Sequence, residues 1–249
     1  MILGIDHIVI LVSNLDRAAH DYTALGFTVV PGGEHTGGVS HNALVAFDDG
    51  SYLELVAFKG HVPQDHFFYR EGISEGLITY ALLPGDIEAD IEAARARGLE
   101  YAGPRSGGRL RPDGARIEWQ IATPPGHDLP FLCGDVTPRE LRVPGGDARK
   151  HDNGSTGIRM LTVQVKVLSE SQQRYSALLG TNLTPPQSNR QGSVATVEFP
   201  TGEVKIVLGA PETTDEVPEG PTALVLLSNS PTKPTQLDRQ LTHEVPLFL

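Results

Sequence analysis

Apolar segments of strand length alternate with an amphipathic segment of helical period at the start of the chain. Within residues 1–58 the pattern predicts the order strand, helix, strand, strand, strand. Apolar residues recur at helical spacing over residues 13–27, and Gly26 ends this segment. Asp48-Asp49-Gly50 separates two apolar segments, 41–47 and 51–58, and predicts a hairpin because Asp and Gly tolerate the positive φ of a tight turn. These residues therefore predict a βαβββ module.

The same order of elements recurs further along the chain. A second copy extends from residue 76 to 133, a third begins near Gly157 with its hairpin turn at residues 200–202, and a truncated fourth begins near residue 223. The polar segment 145–155 predicts a linker between the second and third copies. The sequence therefore predicts an α+β protein of repeated βαβββ modules, with a paired unit at residues 1–140 and a shorter unit at residues 156–249.

Composition narrows the class of partner. The 249 residues include 20 basic and 31 acidic side chains, for a net charge of −11, which argues against a nucleic acid or an anionic membrane surface as partner. Cys133 is the single cysteine, which excludes a disulfide framework and a cysteine-based zinc site. No secretory signal or membrane-spanning apolar segment is evident. We therefore expect a cytoplasmic protein that acts on a small molecule, as a monomer or a homodimer.

One imidazole and one carboxylate interrupt the apolar strands of the first module. Strand alternation assigns His7 to one face of the first strand and Glu54 to one face of the fourth. If the turn pairs Phe47 with Tyr52, the side chain of His41 shares the face of Glu54. Imidazole nitrogen and carboxylate oxygen are ordinary ligands for Zn, Mn, Fe, Co or Ni, and a catalytic metal takes about three protein ligands. The sequence thus predicts a metal site at His7, Glu54 and His41, with Glu54 and His7 as catalytic residues.

Two strands of the first module resemble the vicinal oxygen chelate superfamily and its glyoxalase-like branch: IDHIVI at residues 5–10 and YLELV at residues 52–56. The resemblance covers residues 1–140. It implies that two modules pair into a cup-shaped mixed sheet around a divalent metal, with the helices on the outer face. It also implies an enzyme of lyase, isomerase or dioxygenase type that uses the metal to polarise a small oxygenated substrate.

Metal-dependent members of this superfamily take further ligands from their second module. The matching strands here are LITY at residues 77–80 and DLPF at residues 128–131, and they supply no such ligand. Any metal must therefore be completed from within the first module or by the substrate.

Two other interpretations of His7 and Glu54 stay open. The pair can act without metal as a general acid and base, with burial raising the pKa of Glu54. Alternatively, it can form a structural hydrogen bond across the sheet. The alternative function is a metal-free protein of the same fold that binds or sequesters a small molecule.

Charged and aromatic residues near the expected cup are candidates for substrate binding. Arg70 follows an aromatic run in the connection between the first two modules, and a guanidinium at a rim can hold a carboxylate. Three arginines within eight residues form a local positive patch in an acidic protein. Aromatic side chains of the second module can contact a planar ligand. The predicted substrate-binding residues are Arg70, Tyr80, Arg109, Arg111, Arg116 and Trp119.

Overall fold

A computed structural model describes residues 1–64, 66–181, 183, 185–189, 192–199, 205–211, 218–229 and 234–249. The first eight strands are β1 (Ile2–Leu11), β2 (Val30–His35), β3 (Ser40–Ala46), β4 (Tyr52–Phe58), β5 (Gly76–Pro84), β6 (Ala102–Leu110), β7 (Arg116–Thr123) and β8 (Phe131–Asp135). The later strands are β9 (Ser155–Gln164), β10 (Gln187–Asn189), β11 (Gly192–Glu198), β12 (Lys205–Ala210), β13 (Gly220–Ser228) and β14 (Leu247–Phe248). The helices are α1 (Leu15–Ala24), α2 (Ile87–Ala96), α3 (Arg139–Arg142) and α4 (Leu168–Leu179), and a 3-10 turn spans Gly146–Arg149.

Strands β1–β8 form a closed barrel in the order β1-β4-β3-β2-β6-β7-β8-β5. Module 1 (β1, α1, β2, β3, β4) and module 2 (β5, α2, β6, β7, β8) meet at two seams. The first seam is the long antiparallel pairing of β1 with β5, and the second is the short pairing of β2 with β6. The prediction of an α+β fold in which paired modules enclose a cup is confirmed, and the short second seam closes the cup into a barrel.

The second sheet repeats part of this arrangement. Its order is β10-β11-β12-β9-β13-β14, in which β9 is parallel to β12 and antiparallel to β13, as β1 is to β4 and β5. The strands that would match β6 and β7 are absent from the described residues, so this sheet stays open. The hairpin turn expected at residues 200–202 lies outside the described residues.

Helices α1 and α2 cover the outer face of the barrel. The side chain of Asn14 accepts a hydrogen bond from the backbone N–H of Arg17 and caps α1, and Asp86 caps α2 in the same way. Ala18 and Tyr22 of α1 are fully buried against outward-facing apolar strand residues. Since the helices take up the outward side chains, the inward ones remain free to form a cavity. None of the described helices is long and apolar enough to cross a lipid bilayer.

The predicted register of the β3–β4 hairpin is wrong by one residue. Ala46, not Phe47, pairs with Tyr52, and Leu44 pairs with Glu54. The turn is a three-residue loop closed by a hydrogen bond from Phe47 N to Ser51 O, with Gly50 at φ +83°. A shift of one residue moves every side chain of a strand to the opposite face.

This shift changes which residues of β3 face the interior. His41 pairs with Ala57 and shares the outward face of the apolar residues under the helix. Asn42, its neighbour, lies on the inward face beside Glu54. The prediction that His41 shares the face of Glu54 is therefore wrong.

Candidate active site

Two imidazoles contact one carboxylate inside the barrel. Nε2 of His7 on β1 lies 3.4 Å from Oε2 of Glu54 on β4, and Nε2 of His35 at the end of β2 lies 3.3 Å from Oε1 of the same residue. His7 and Glu54 are only 3% and 6% exposed. The structure therefore brings the predicted pair His7 and Glu54 together, and His35 occupies the third position, for which the sequence predicts His41.

Each imidazole is oriented by a hydrogen bond at its other nitrogen. Nδ1 of His7 lies 2.6 Å from Oδ2 of Asp6, and Nδ1 of His35 lies 2.9 Å from Oγ of Ser40. The pairing of β1 with β5 shifts between Ile5 and His7, so that Asp6 occupies a β-bulge. The bulge allows two successive residues, Asp6 and His7, to be buried side by side. Such outer contacts set the tautomer and ring orientation of a histidine.

Asp6 is held by two arginines that follow β8. Arg142 Nη1 donates to Asp6 Oδ2 over 2.7 Å and Arg139 Nη1 donates to Asp6 Oδ1 over 2.6 Å. Asp135 accepts further hydrogen bonds from both guanidinium groups. Burial opposes ionisation of Asp6, but Arg142 and His7 hold its pKa below the ordinary value.

Glu54 is ionised in the folded protein. Burial alone would raise its pKa, but hydrogen bonds to His35 and His7 hold the pKa well below the ordinary range. Asn42 Nδ2 also donates to Glu54 Oε1 over 2.5 Å. The interpretation in which burial raises the pKa of Glu54 is therefore wrong. For His7, burial would lower the pKa, but Asp6 and Glu54 raise it.

These groups form one wall of a cavity of about 620 Å³ inside the barrel. Aromatic rings approach both imidazoles edge-on: Phe131 contacts His7 at a centroid distance of 5.3 Å, and Trp119 contacts His35 at 6.1 Å. The lining from module 1 includes His7, His35, Asn42, Tyr52 and Glu54, and the remaining lining includes Phe67, Phe68, Arg105, Arg109, Trp119, Ile121, Phe131 and Cys133.

Of the six predicted substrate-binding residues, the structure places Arg109 and Trp119 in this lining. Alternation along β7 turns Trp119 inward, so Arg116 points outward, where it pairs with Glu118 over 2.9 Å. Arg111 follows β6 and pairs with Asp113 over 2.8 Å. These two predicted contacts are not part of the described cavity lining.

Arg70 and Tyr80 also lie elsewhere. Arg70 donates to the carbonyl oxygens of Phe67 and Tyr69 over 2.9 and 2.8 Å, so it holds the inter-module connection together. Tyr80 points outward from β5 and its hydroxyl bonds to Tyr175 of α4. Both predictions placed a residue by its neighbours in sequence, without the strand parity or loop path that decides its direction.

A second group could hold a metal by distance alone. Ligand atoms of Asp6, His7 and Cys133 all lie within 4.8 Å of one another and are buried. However, both carboxylate oxygens of Asp6 are already bound to guanidinium groups. Burial also raises the pKa of the Cys133 thiol, which keeps it protonated. We therefore consider His7, His35 and Glu54 as the alternative donor set, although their ligand atoms are spread more widely than the 4.8 Å of the first group.

Solved structures share this fold at low sequence identity. A hypothetical protein from Staphylococcus aureus matches 99% of this chain and 98% of its own, with 15% identity and a TM-score of 0.78. A mutant of 4-hydroxymandelate synthase from Streptomyces coelicolor matches 92% of this chain and 72% of its own, with 14% identity and a TM-score of 0.66. The 2,2',3-trihydroxybiphenyl 1,2-dioxygenase from Sphingomonas wittichii matches 93% and 75%, with 15% identity and a TM-score of 0.51.

Sequence comparison identifies the family. No curated protein sequence matches this chain significantly. The family model of the glyoxalase-like domain matches residues 5–179, which include the barrel from Ile5 of β1 onwards, the linker and the start of the second sheet through α4. The chain therefore belongs to the glyoxalase-like domain family, within the vicinal oxygen chelate superfamily.

Proposed function

We propose that His7, His35 and Glu54 hold a divalent metal and that the protein is an enzyme acting on a small oxygenated molecule by lyase, isomerase or dioxygenase chemistry. The observation that carries this proposal is that two imidazole nitrogens face opposite oxygens of one buried, ionised carboxylate, at 3.4 and 3.3 Å. When bound there, a divalent metal supplies Lewis-acid activation of a carbonyl or hydroxyl oxygen.

The donor set suits such an ion. Because Nδ1 of His7 is hydrogen-bonded to the ionised Asp6, the other ring nitrogen, Nε2, is the one that faces Glu54. A metal bound there would displace the proton that the raised pKa of His7 favours between Nε2 and Glu54. Two histidines with one carboxylate are typical ligands of Fe(II), and the same donors suit Zn, Mn, Co or Ni.

Other residues that line the cavity can contact a bound substrate. The hydroxyl of Tyr52 accepts a hydrogen bond from Arg142 Nη1 over 2.8 Å, and burial raises the pKa of Tyr52 well above its ordinary value. Tyr52 therefore keeps its proton and can donate it in a hydrogen bond to a substrate oxygen. Its ring stacks on His7 at a centroid distance of 4.6 Å, which fixes both side chains. Phe67 and Phe68 from the inter-module connection pack against Phe131 and line the cavity.

The names of two similar structures support the substrate class. One is a synthase of 4-hydroxymandelate and the other a dioxygenase of a trihydroxybiphenyl, and both names describe oxygenated aromatic compounds. The aromatic lining of the cavity is compatible with a compound of this kind.

Elemental analysis tests the metal site. Protein purified without chelator and loaded with each of the five candidate metals is expected to hold about one equivalent of at least one of them. His7→Ala, His35→Ala and Glu54→Gln should lose it, whereas His41→Ala, which removes a neighbouring imidazole from the outer face, should keep it. Metal absent from the wild type, or retained by all three site variants, would overturn the proposal.

A metal-free small-molecule binding or sequestering protein is the second candidate. It is favoured by the fact that His7, His35 and Glu54 already satisfy one another within a cavity rich in aromatic side chains. A thermal-shift series separates the two functions. Stabilisation by divalent cations supports the enzyme, and stabilisation by aromatic compounds with no response to cations supports the binding protein.

A further inference from the structure

Arg109 is a buried cation without a carboxylate partner. It is 4% exposed, and its Nη1 and Nη2 donate to neutral groups, Asn42 Oδ1 over 3.2 Å and the carbonyl oxygen of Arg142 over 2.6 Å. Its Nε is buried and has no hydrogen-bond partner among the described residues. No carboxylate of the described chain lies within 4 Å of this guanidinium, and Glu54 reaches it only through Asn42. A buried charge without a partner is costly, and a function can account for its presence.

The cavity is locally positive in a protein of net charge −11. Among the described residues that line it, Glu54 is the one carboxylate, against the guanidinium groups of Arg105, Arg109 and Arg142. Asp6 and Asp135 neutralise Arg142 from behind the cavity wall. Arg105 and Arg109 therefore leave an excess of positive charge that a ligand can neutralise.

The inward face of β6 combines these two cations with a flat aromatic surface. Arg105, Gly107 and Arg109 alternate along the strand and all line the cavity, with Arg105 exposed at the mouth. The one described polar contact of Arg105 is with Thr123 Oγ1 at 3.3 Å. Gly107 has no side chain, and a Cβ there would overlap with the indole of Trp119, which lies against it. The indole therefore lies beside Gly107, between the exposed Arg105 and the buried Arg109 along the strand.

We propose that the cavity binds an aromatic carboxylate, with its ring against Trp119 and Phe131 and its carboxylate on Arg109. Arg105 attracts the anion from the mouth and adds a smaller part of the affinity. A planar carboxylate accepts two hydrogen bonds from a guanidinium, and Nη1 and Nη2 of Arg109 each carry a second N–H besides the one donated to Asn42 or to Arg142. As a substrate class, the inference rests on the proposed function. The anion binding itself needs no metal and can be measured without it.

Trp119 is the single tryptophan of the chain, so its fluorescence reports on the cavity directly. We suggest titrating the full-length protein, treated with chelator, with benzoate, with its neutral analogue benzamide and with acetate. Benzoate is expected to change the fluorescence saturably and to bind at least about tenfold more tightly than benzamide, because a charge-assisted hydrogen bond is roughly twice as strong as a neutral one. Acetate, which lacks the ring, should bind more weakly than benzoate.

Substitutions of single arginines test which side chain binds the carboxylate of benzoate. Arg109→Met should abolish the preference for benzoate, Arg105→Gln should reduce it in part, and Arg116→Gln, which removes the same charge outside the cavity, should leave it unchanged. If circular dichroism shows that Arg109→Met does not fold, Arg109→Lys is used instead and is expected to weaken benzoate more than benzamide, since Lys cannot bind a carboxylate in the same two-point manner.

Equal affinity for benzoate and benzamide, no saturable response to benzoate, or a preference that survives both the Arg109 and the Arg105 substitutions would overturn the inference. A failure of the metal site leaves this result unchanged, because no metal is present in the titration. Conversely, loss of the anion preference leaves the elemental analysis unaffected.

Discussion

The two modules of the barrel have the same topology but different inward surfaces. At the seam between β1 and β5, His7 pairs with Ala81, and at the seam between β2 and β6, His35 pairs with Arg109. In each case an imidazole of module 1 meets a residue of module 2 that does not bind metals. The candidate chemistry is therefore concentrated in one half of the barrel, and the other half supplies aromatic rings and positive charge.

The outward faces of the modules have not diverged in this way. Ile8 and Leu53 of module 1 and Ile78 and Leu82 of module 2 are all fully or almost fully buried and apolar. The outer face must pack against a helix in both modules, whereas the inner face only lines a cavity. Packing thus constrains one face of a repeated strand, and the other face is free to acquire a function in one copy alone.

The strongest test of this division concerns Arg142, because it joins the two halves. It follows β8 of module 2, is 2% exposed, and holds Asp6, which is 0% exposed and orients His7 of module 1. Arg142→Met should lower the free energy of unfolding by about 3 kcal/mol, because it removes the buried one of the two guanidinium partners of Asp6 and leaves Arg139 as the other. Urea unfolding measures the loss.

Arg95→Met is the matched control, since Arg95 pairs with Glu92 and Glu100 on the exposed surface of α2 and should change stability by about 1 kcal/mol or less. Adding Asp6→Asn to Arg142→Met should recover part of the loss, because the buried negative charge is then removed. An Arg142→Met protein as stable as Arg95→Met would show that module 1 orients His7 without help from module 2.

A second test checks which side chains of β3 face the interior of the barrel. It compares two adjacent residues, the inward Asn42 and the outward His41. Asn42 donates to Glu54 and accepts from Arg109, and both bonds are buried. Asn42→Ala should therefore cost about 1–3 kcal/mol in unfolding free energy. His41→Ala on the outer face should change it by less than about 0.5 kcal/mol. The reverse order of the two effects would contradict the register of β3 and β4.

Local patterns were sufficient for the first, third and fourth strands of module 1 and for the side-chain faces within each of them. Alternation within the first and fourth strands marked His7 and Glu54, and the repeat of βαβββ modules led to the paired architecture. What alternation cannot supply is the register between two strands, because it depends on how many residues the turn contains. For that reason the predicted face of His41 is wrong, and its neighbour Asn42 lies beside Glu54 instead.

His35, the third residue of the site, was not predicted because it follows a glycine-rich segment. Residues 32–40 contain four glycines and predict a loop, yet Gly32 and Gly33 form a bulge within β2 that ends at His35. A Cβ at Gly32 would overlap with Asn42 and Arg109, so this glycine makes room for the hydrogen bond between those side chains. The contact of Asp6 with Arg142 links residues 136 positions apart, which no local pattern reveals.

The smallest expected change in the free energy of unfolding concerns His151, which lies in the linker that precedes the second sheet and contacts module 1. His151 Nδ1 accepts a hydrogen bond from the backbone N–H of Thr28 over 3.0 Å, and its Nε2 donates to the carbonyl oxygen of Ala46 over 3.0 Å. A protonated ring could not accept the first bond, and burial lowers the pKa of His151 below its ordinary value of about 6.5.

Between the lowered pKa of the folded protein and 6.5, the unfolded chain binds more protons, so this contribution to stability is complete above pH 6.5 and is lost as the pH falls below it. Urea unfolding of the wild type and of His151→Gln at pH 7.5 and 5.5 should show a stability difference that shrinks at the lower pH. The effect should be well below that of Arg142→Met, since His151 is half-buried. A difference that stays constant or grows on acidification would mean that the linker is held on module 1 without the neutral imidazole.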